Sequence, residues 1–210
     1  MSLRDGASVT VNATSMAANE RSLLLVGDPA NVWYGSGAAP KAREELHGVI
    51  GVVRAVNGTY TLVPSPIPDV RVRAPRVTNA GRDAWHVIFV TGALSTPSNA
   101  LMFDTATIWY GRFEKSTWTR IERVATVRSG SLLLGSSSSL INLRGEVAFA
   151  YAFERPFSTD QSTQVPSGVV LLRGGHGAPW RTDTLQTWEA PRTVELVASE
   201  DSASLLAVIA

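Results

Sequence analysis

The residues most able to do chemistry fall in a few polar segments between apolar runs. Trp33 and Tyr34 are adjacent aromatics, whose flat rings can stack on a sugar ring. Glu154 and Arg155 place a carboxylate beside a cation, and Asp104 follows a phenylalanine in a separate segment. Glycoside hydrolysis requires two carboxylates that flank the scissile bond. These residue types therefore point to sugar binding or sugar hydrolysis.

Each of these residues also has a purely structural interpretation. Trp33 and Tyr34 can cover the edge of a sheet, and Asp104 can be a turn carboxylate. Glu154 and Arg155, together with Asp160, can belong to a solvated loop. Since the chain contains 18 acidic residues, some pair of carboxylates is inevitable and carries little weight by itself.

Several other chemistries have no support in the sequence. The chain has no cysteine, and its histidines are scattered without metal-ligand spacing at His47, His86 and His176, so no metal and no cofactor is predicted. His86 alternates within an apolar run and is expected to be a core histidine. There is no nucleophile elbow and no phosphate-binding loop. A formal charge of +1 gives no electrostatic basis for nucleic-acid binding. No apolar run reaches the roughly 18 residues of a membrane span.

The chain repeats itself with a period of about sixty residues. Four apolar runs align at intervals of 62, 62 and 58 residues, on Leu23, Trp85, Val147 and Leu205. Three hairpin-like segments carry an aromatic residue on their second strand, at Tyr60, Trp118 and Trp180. An arginine precedes each aromatic by six or seven residues, at Arg54, Arg112 and Arg173.

Each repeat contains four strand candidates, which we name A, B, C and D. A and B are apolar on both alternations, whereas C and D have mixed polarity and are joined by a tight polar turn. The pattern predicts an all-β chain, a β-propeller of four-stranded antiparallel blades, in preference to a β-sandwich. A short helix or turn is expected only at residues 39–48.

The predicted blades form a single repeat domain over residues 1–210, with about 3.5 blades. Their bounds are approximately 8–66, 75–124, 138–187 and, for a half blade, 194–210. Because rings of blades usually close with at least four, three explanations stay open. The chain is a fragment, an assembling subunit, or an unusual small closure.

The hairpin motif resembles the Asp-boxes of the sialidase-like (BNR/Asp-box) propellers, whose form is S-x-D-x-G-x-T-W. Thr117 and Trp118 match its end, while Phe113 and Lys115 replace its Asp and Gly. In the third copy Gly177 and Trp180 match and Gly175 replaces the Asp. The resemblance implies a propeller and a secreted or periplasmic location, although the N-terminus lacks the apolar region of a signal peptide.

The same resemblance implies a glycoside hydrolase with an arginine triad, a tyrosine–glutamate nucleophile pair and an acidic residue. Arg73-Ala74-Pro75 is the one segment that echoes an arginine of that triad. The other catalytic positions have no counterpart that the sequence identifies.

Antiparallel order places B–C and D–A connections at one end of each blade. These connections are the long ones, at residues 28–48, 91–106, 153–167, 66–74 and 125–137. Long loops tend to carry function, although the last, with Arg128 before a serine-rich run, is expected to be a flexible connection. We therefore predict a binding face at this end of the blades.

The predicted function is a non-catalytic binding module, with a glycan or a protein as ligand. Its candidate residues are Trp33, Tyr34, Arg73, Asp104, Glu154 and Arg155. The alternatives are an assembly scaffold that associates with itself through exposed blade edges, and a sialidase-type glycoside hydrolase or a fragment of one.

Overall fold

The computed structural model describes the backbone of thirteen ranges of the chain: residues 2–3, 7–11, 13–27, 32–36, 44–45, 48–67, 70, 72–94, 102–144, 146–154, 167–187, 193–199 and 205–209. All regular structure in these ranges is β-strand. The strands are β1 (Ser2–Leu3), β2 (Ala7–Val11), β3 (Ser15–Ala18), β4 (Ser22–Val26), β5 (Val32–Ser36), β6 (Glu44–Glu45), β7 (Val49–Ala55), β8 (Tyr60–Pro64), β9 (Val72–Asn79), β10 (Ala84–Leu94), β11 (Met102–Glu114), β12 (Thr117–Leu143), β13 (Glu146–Glu154), β14 (Ser167–Gly175), β15 (Ala178–Thr187), β16 (Val194–Ala198) and β17 (Leu205–Ile209). Among the described residues, no helix has the length and apolarity needed to cross a membrane.

Three four-stranded antiparallel blades follow one another along the chain, each with its strands in sequence order, and the second and third share one strand within a single seven-stranded sheet. Blade 1 is β3-β4-β7-β8, to which the short β1 adds a fifth strand beside β8. Blade 2 is β9-β10-β11-β12, and blade 3 is β12-β13-β14-β15. The half blade is β16-β17. The prediction of an all-β chain built of four-stranded propeller blades is confirmed.

The chain divides into two compact units. Unit 1 comprises residues 1–91 and 108–123, and unit 2 comprises residues 92–107 and 124–210. The long strand β12 contributes its first seven residues, 117–123, to unit 1 and the rest to unit 2.

The core of unit 1 lies between blades 1 and 2. The apolar alternation of β4 and β7 supplies one side of it, and that of β9, β10 and β11 supplies the other. Its fully or nearly fully buried members are Leu24, Val26, Ile50, Val63, Val72, Val77, Trp85, Val87, Phe89 and Phe113. Burying each such side chain contributes roughly 1.5–3 kcal/mol, so this contact is the main stabilising element of the unit.

Trp118, the recurring aromatic of the repeat, anchors blade 2 to this core. Its ring lies edge-on to Phe113 at 5.1 Å between centroids and tilted to Phe89 at 6.4 Å. Its indole N–H donates to the carbonyl of Pro64 in blade 1 at 3.0 Å. The aromatic that marks the repeat in the sequence is therefore a packing residue between blades.

The A strands of successive blades are also joined by serine hydroxyls. The Oγ of Ser15 in β3 accepts the backbone N–H of Val77 in β9 at 3.1 Å, 62 residues further along the chain. In unit 2, Ser139 of β12 accepts the N–H of Leu196 in β16 in the same way, also at 3.1 Å. The repeat thus preserves a polar contact as well as an apolar one.

The core of unit 2 lies between blade 3 and the half blade. Three alanines of β13, Ala148, Ala150 and Ala152, are fully buried and pack with Val194 and Leu196 of β16. Small side chains at three alternate positions allow close approach of the two sheets, since side chains two residues apart share one face.

One expectation about the connections is wrong. The serine-rich residues 125–137 are not a loop but lie within β12, which pairs with β13 on both sides of a register shift between Leu133 and Ser138. Backbone pairing in the sheet outweighs the local composition there. Of residues 39–48, predicted as a short helix or turn, the structure describes three: Glu44–Glu45 form the strand β6, which pairs with β5, and Gly48 lies in a turn.

Candidate functional site

A small sheet, which we call the insertion sheet, is formed by β5 and β6 of the B–C connection of blade 1 together with β2, which precedes blade 1 in the chain. It consists of β2, β5 and β6 in the order β2-β5-β6, and β2 and β5 both contact β7. Trp33 stands opposite Thr10 of β2 and Glu45 of β6. The described strands of the predicted binding loop, β5 and β6, thus belong to a sheet, which the sequence did not indicate.

Tyr34 occupies the next register position of the same sheet, opposite Val9 and Glu44. The register therefore sets each of the two aromatic positions opposite one glutamate position, and the two pairs belong to opposite faces of the sheet because neighbouring strand residues alternate. Directly opposed residues in an antiparallel sheet have Cβ atoms about 5 Å apart. The insertion sheet brings both residue types that a sugar site uses into one small element.

Arg73 lies in a β-bulge of β9. Arg73 pairs with Val90 and Arg76 with Ile88, so Ala74 and Pro75 together oppose the single residue between them. Ala74 has a φ of 43°, a left-handed conformation that costs a non-glycine residue about 1 kcal/mol. The bulge also accommodates Pro75, which has no N–H to donate to the ladder.

The neighbouring Arg76 has a structural role. Its side chain is buried, and its Nη1 donates to the carbonyls of Thr14 at 2.8 Å and Pro75 at 3.3 Å. The hydroxyl of Thr14 donates to the Pro75 carbonyl at 2.9 Å. These contacts tie the bulge of blade 2 to blade 1, while Arg73 stays half-buried.

The remaining predicted site residues belong to unit 2 or lie outside the described residues. Asp104 is near the start of β11, and Glu154 ends β13 opposite Ser131 of β12. Arg155 lies outside the described residues, as do the side chains of Trp33, Tyr34, Asp104 and Glu154. The structure thus places Trp33 and Tyr34 in the insertion sheet and Arg73 in the bulge of the same unit. Asp104 and Glu154 are in the other unit.

A second polar cluster lies at the opposite end of a blade, beside the turns of blade 3. Arg173 of β14 donates through Nε at 2.8 Å, and also through Nη2, to Oε1 of Glu146. Arg181 of β15 donates to Oε2 of the same carboxylate at 2.8 Å. Burial alone would raise the pKa of Glu146, but the hydrogen bonds from Arg173 and Arg181 outweigh it and hold the pKa below its ordinary value of 4.5.

Two buried tyrosines belong to the cores and not to a site. Burial raises the pKa of Tyr110 and of Tyr151 to about 12. The hydroxyl of Tyr110 is 2.7 Å from Nδ1 of His86, and both side chains are buried. His86 is the core histidine that the sequence predicts. Within the described residues, no three metal-ligating side chains form a group.

Sequence reasoning missed Glu44, Glu45, Glu146 and Arg181 as members of polar clusters. Glu44 and Glu45 were missed because they belong to a segment, ending at Gly48, whose composition suits a short helix or turn. The sequence did not give the opposition of Arg173 and Arg181, because the turn pairs Gly175 with Ala178, and a register shift between Arg173 and Gly175 is what brings Arg173 opposite Arg181.

No protein-family model matches the chain. No curated protein matches it either. Among solved structures, the chain is similar to a Bombyx mori GH32 beta-fructofuranosidase, a mutant in complex with sucrose, at 12% sequence identity and a TM-score of 0.47. The match covers 89% of this chain and 40% of that chain, so the chain spans less than half the length of that protein.

Proposed function

We propose that this chain is a non-catalytic binding module for a glycan, which docks on the insertion sheet β2-β5-β6. The observation that carries the proposal is the register that sets Trp33 opposite Glu45, on one face of the sheet; Tyr34 and Glu44 form the next pair, on its other face. An aromatic ring offers a flat apolar surface to a sugar ring, and a carboxylate accepts hydrogen bonds from sugar hydroxyls. Arg73, in the same unit, is the further polar residue that we assign to this binding function.

A binding role fits the spacing of the carboxylates better than hydrolysis does. Glu44 and Glu45 are consecutive residues of one strand, and consecutive strand residues point to opposite faces of a sheet. Retaining and inverting glycosidases need two carboxyl groups that flank one bond from positions about 5–9 Å apart. Asp104, Glu154 and Arg155 belong to the other unit and stay predicted binding residues that are not part of the site on the insertion sheet.

Retention on a panel of immobilised polysaccharides tests the proposal. We expect the chain to be retained by at least one of them without release of reducing sugar. Trp33→Ala is expected to weaken the retention at least about tenfold, because a stacking aromatic is worth about 1.4 kcal/mol or more. Glu45→Gln is expected to weaken it less.

Tyr60→Ala is the matched control, since Tyr60 is an aromatic strand residue of the same unit at the turn end of blade 1. It is expected to leave retention unchanged. Retention of Trp33→Ala at the wild-type level, retention on none of the polysaccharides, or steady release of reducing sugar would each contradict the proposal.

A second candidate function, assembly through a strand edge, is favoured by the half blade. The sequence of β17, LLAVI, is apolar on both alternations, as in the central strands β4, β10 and β13. Those strands are paired on both sides, whereas within the described residues β17 pairs with β16 alone. A free strand edge is a template for pairing with another chain.

The mass in solution tests this second candidate. Self-association through β17 predicts a dimer or larger species by light scattering, and predicts that Val208→Lys shifts it towards the monomer. A wild-type chain of 22.5 kDa at all concentrations would exclude it.

A further inference from the structure

The turn end of blade 3 gathers an excess of positive charge on a built arrangement of hydrogen bonds. Four residues of unit 2 make up what we call the blade 3 arginine cluster: Arg144, Glu146, Arg173 and Arg181. We propose that the blade 3 arginine cluster binds an oxyanion group, a carboxylate or a sulfate or phosphate ester, of an acidic ligand. The site is distinct from the insertion sheet, because it uses the short turns of a different unit.

The register of the sheet forces the arginines together. Arg173 and Arg181 are directly opposite each other in the pairing of β14 with β15. Like charges in opposed positions destabilise a sheet unless an anion compensates them. Arg144 lies in the neighbouring A–B turn, because it follows Leu143, which pairs with Glu146.

Glu146 compensates only part of this charge. Its two carboxylate oxygens accept from both guanidinium groups, and its side chain is only 14% exposed. Arg144, Arg173 and Arg181 stand against Glu146 and Asp183, which follows Arg181 by two residues on the same face of β15, so three positive and two negative charges leave a local formal charge of +1. The carboxylate therefore fixes the two guanidinium groups in place without neutralising the cluster.

Donors remain for a ligand. A guanidinium group carries five N–H donors in a planar fork that matches the oxygens of an oxyanion. Arg181 uses one of its nitrogens on Glu146, and its side chain is 65% exposed. Arg144 is exposed in the adjacent turn. In the described part of the chain, the other N–H groups of Arg181 have no protein acceptor, so they are available to an oxyanion from solvent.

At the equivalent end of blade 2 each arginine has its own carboxylate. There Arg112 pairs with Glu114 at 3.3 Å and Arg120 pairs with Glu122 at 2.6 Å, one carboxylate to each guanidinium. In blade 3, by contrast, Arg173 and Arg181 share the single carboxylate of Glu146.

Binding of polyanions at defined salt concentration tests the proposal. The probes are dextran sulfate, polygalacturonate and inorganic phosphate, which present sulfate, carboxylate and phosphate oxygens respectively. Arg181→Gln is expected to weaken binding of the preferred probe at least about fivefold, and Arg144→Gln to weaken it severalfold, because each removes a guanidinium from the site. Arg123→Gln is the matched control, since Arg123 is an exposed arginine on β12 in unit 1. It is expected to change affinity by less than about twofold.

The variant Glu146→Gln distinguishes anion binding from a purely structural role of Glu146 more clearly than the arginine variants do. Removing the internal carboxylate leaves two opposed guanidinium groups without an anion, so the added anion is expected to bind more tightly, by about fivefold or more. An alternative in which Glu146 is only a structural residue predicts weaker or unchanged binding.

The proposal would be overturned if all three arginine variants changed the affinity equally, or if none of them changed it. It would also be overturned if Glu146→Gln bound the anion no more tightly than the wild type. Arg181 is a surface residue, so its variant keeps the test decisive if Glu146→Gln fails to fold. Loss of glycan retention in Trp33→Ala has no effect on these outcomes, which separates this site from the proposed function.

Discussion

The hairpins of blades 2 and 3 share one packing contact and differ in their polar contacts. In hairpin 2, formed by β11 and the start of β12, Gly111 lies under the ring of Trp118, and a Cβ there would come within 2.6 Å of that ring. In hairpin 3, formed by β14 and β15, Gly174 lies under Trp180, and a Cβ would come within 2.8 Å of it. The glycine of one strand and the tryptophan of the next form a single unit of packing.

The polar contacts of the two hairpins follow different plans. Arg112 and Arg120 of hairpin 2 each bind a glutamate two residues further along the same strand. Arg173 and Arg181 of hairpin 3 share a glutamate that belongs to a third strand, β13. The comparison teaches that these two hairpins preserve the glycine–tryptophan contact and differ in their charges, so that functional differences between the two blades are to be sought among the polar residues.

The largest effects are expected where the shared packing contact is broken. Trp118→Ala should lower the free energy of unfolding by about 3 kcal/mol, because it removes an aromatic from the core between blades 1 and 2. Gly111→Ala should lower it by about 2 kcal/mol through overpacking. In the Trp118→Ala background the same glycine change should cost much less, since the clashing ring is gone. Denaturant unfolding of the four proteins of this cycle measures the coupling, and additive effects would contradict the glycine–tryptophan contact.

A smaller effect is expected from the charges, and only in hairpin 3. Glu146→Gln should cost about 2 kcal/mol, because two guanidinium groups lose a mostly buried acceptor. Glu114→Gln should cost less than about 0.5 kcal/mol, because its ion pair with Arg112 is partly exposed. Equal costs for the two variants would remove the distinction between the hairpins.

The same difference should appear in the pH dependence of stability. The pKa of Glu146 is lowered in the folded protein, so its contribution is present above the ordinary value of 4.5 and is lost as the pH falls through the folded pKa. The difference in free energy of unfolding between the wild type and Glu146→Gln, measured by urea unfolding, should therefore become smaller below pH 4.5. A difference that stays constant with pH would show that the ion pairs are not its source.

The smallest effect is expected at the turns. Lys115 and Ser116 of hairpin 2 both have positive φ, at 47° and 70°, where asparagine and glycine are favoured. Replacing them by Asn and Gly should stabilise the protein by about 1 kcal/mol. In hairpin 3 the second position is already Gly177, so His176→Asn should stabilise the protein by less. Thermal unfolding measures both, and a larger gain in hairpin 3 would contradict this account.

Periodic apolar residues made the blades predictable, because a strand buried on both faces leaves a clear pattern in the sequence. Trp118 was recognisable as a packing residue from its recurrence alone. Gly111 and Gly174 were not, since a glycine shows its role only when the ring above it is located. Glu44 and Glu45 looked like the first turn of a helix because strand pairing with Trp33 and Tyr34 depends on partners distant in the sequence.

Quantitative retention of the wild type and of Trp33→Ala on the same polysaccharide, with reducing sugar assayed in the same samples, is the most direct test of the central claim. We predict retention of the wild type, at least about tenfold weaker retention of Trp33→Ala, and no sugar released by either. Equal retention of the two proteins, or sugar release that grows with time, would contradict a binding module centred on the insertion sheet.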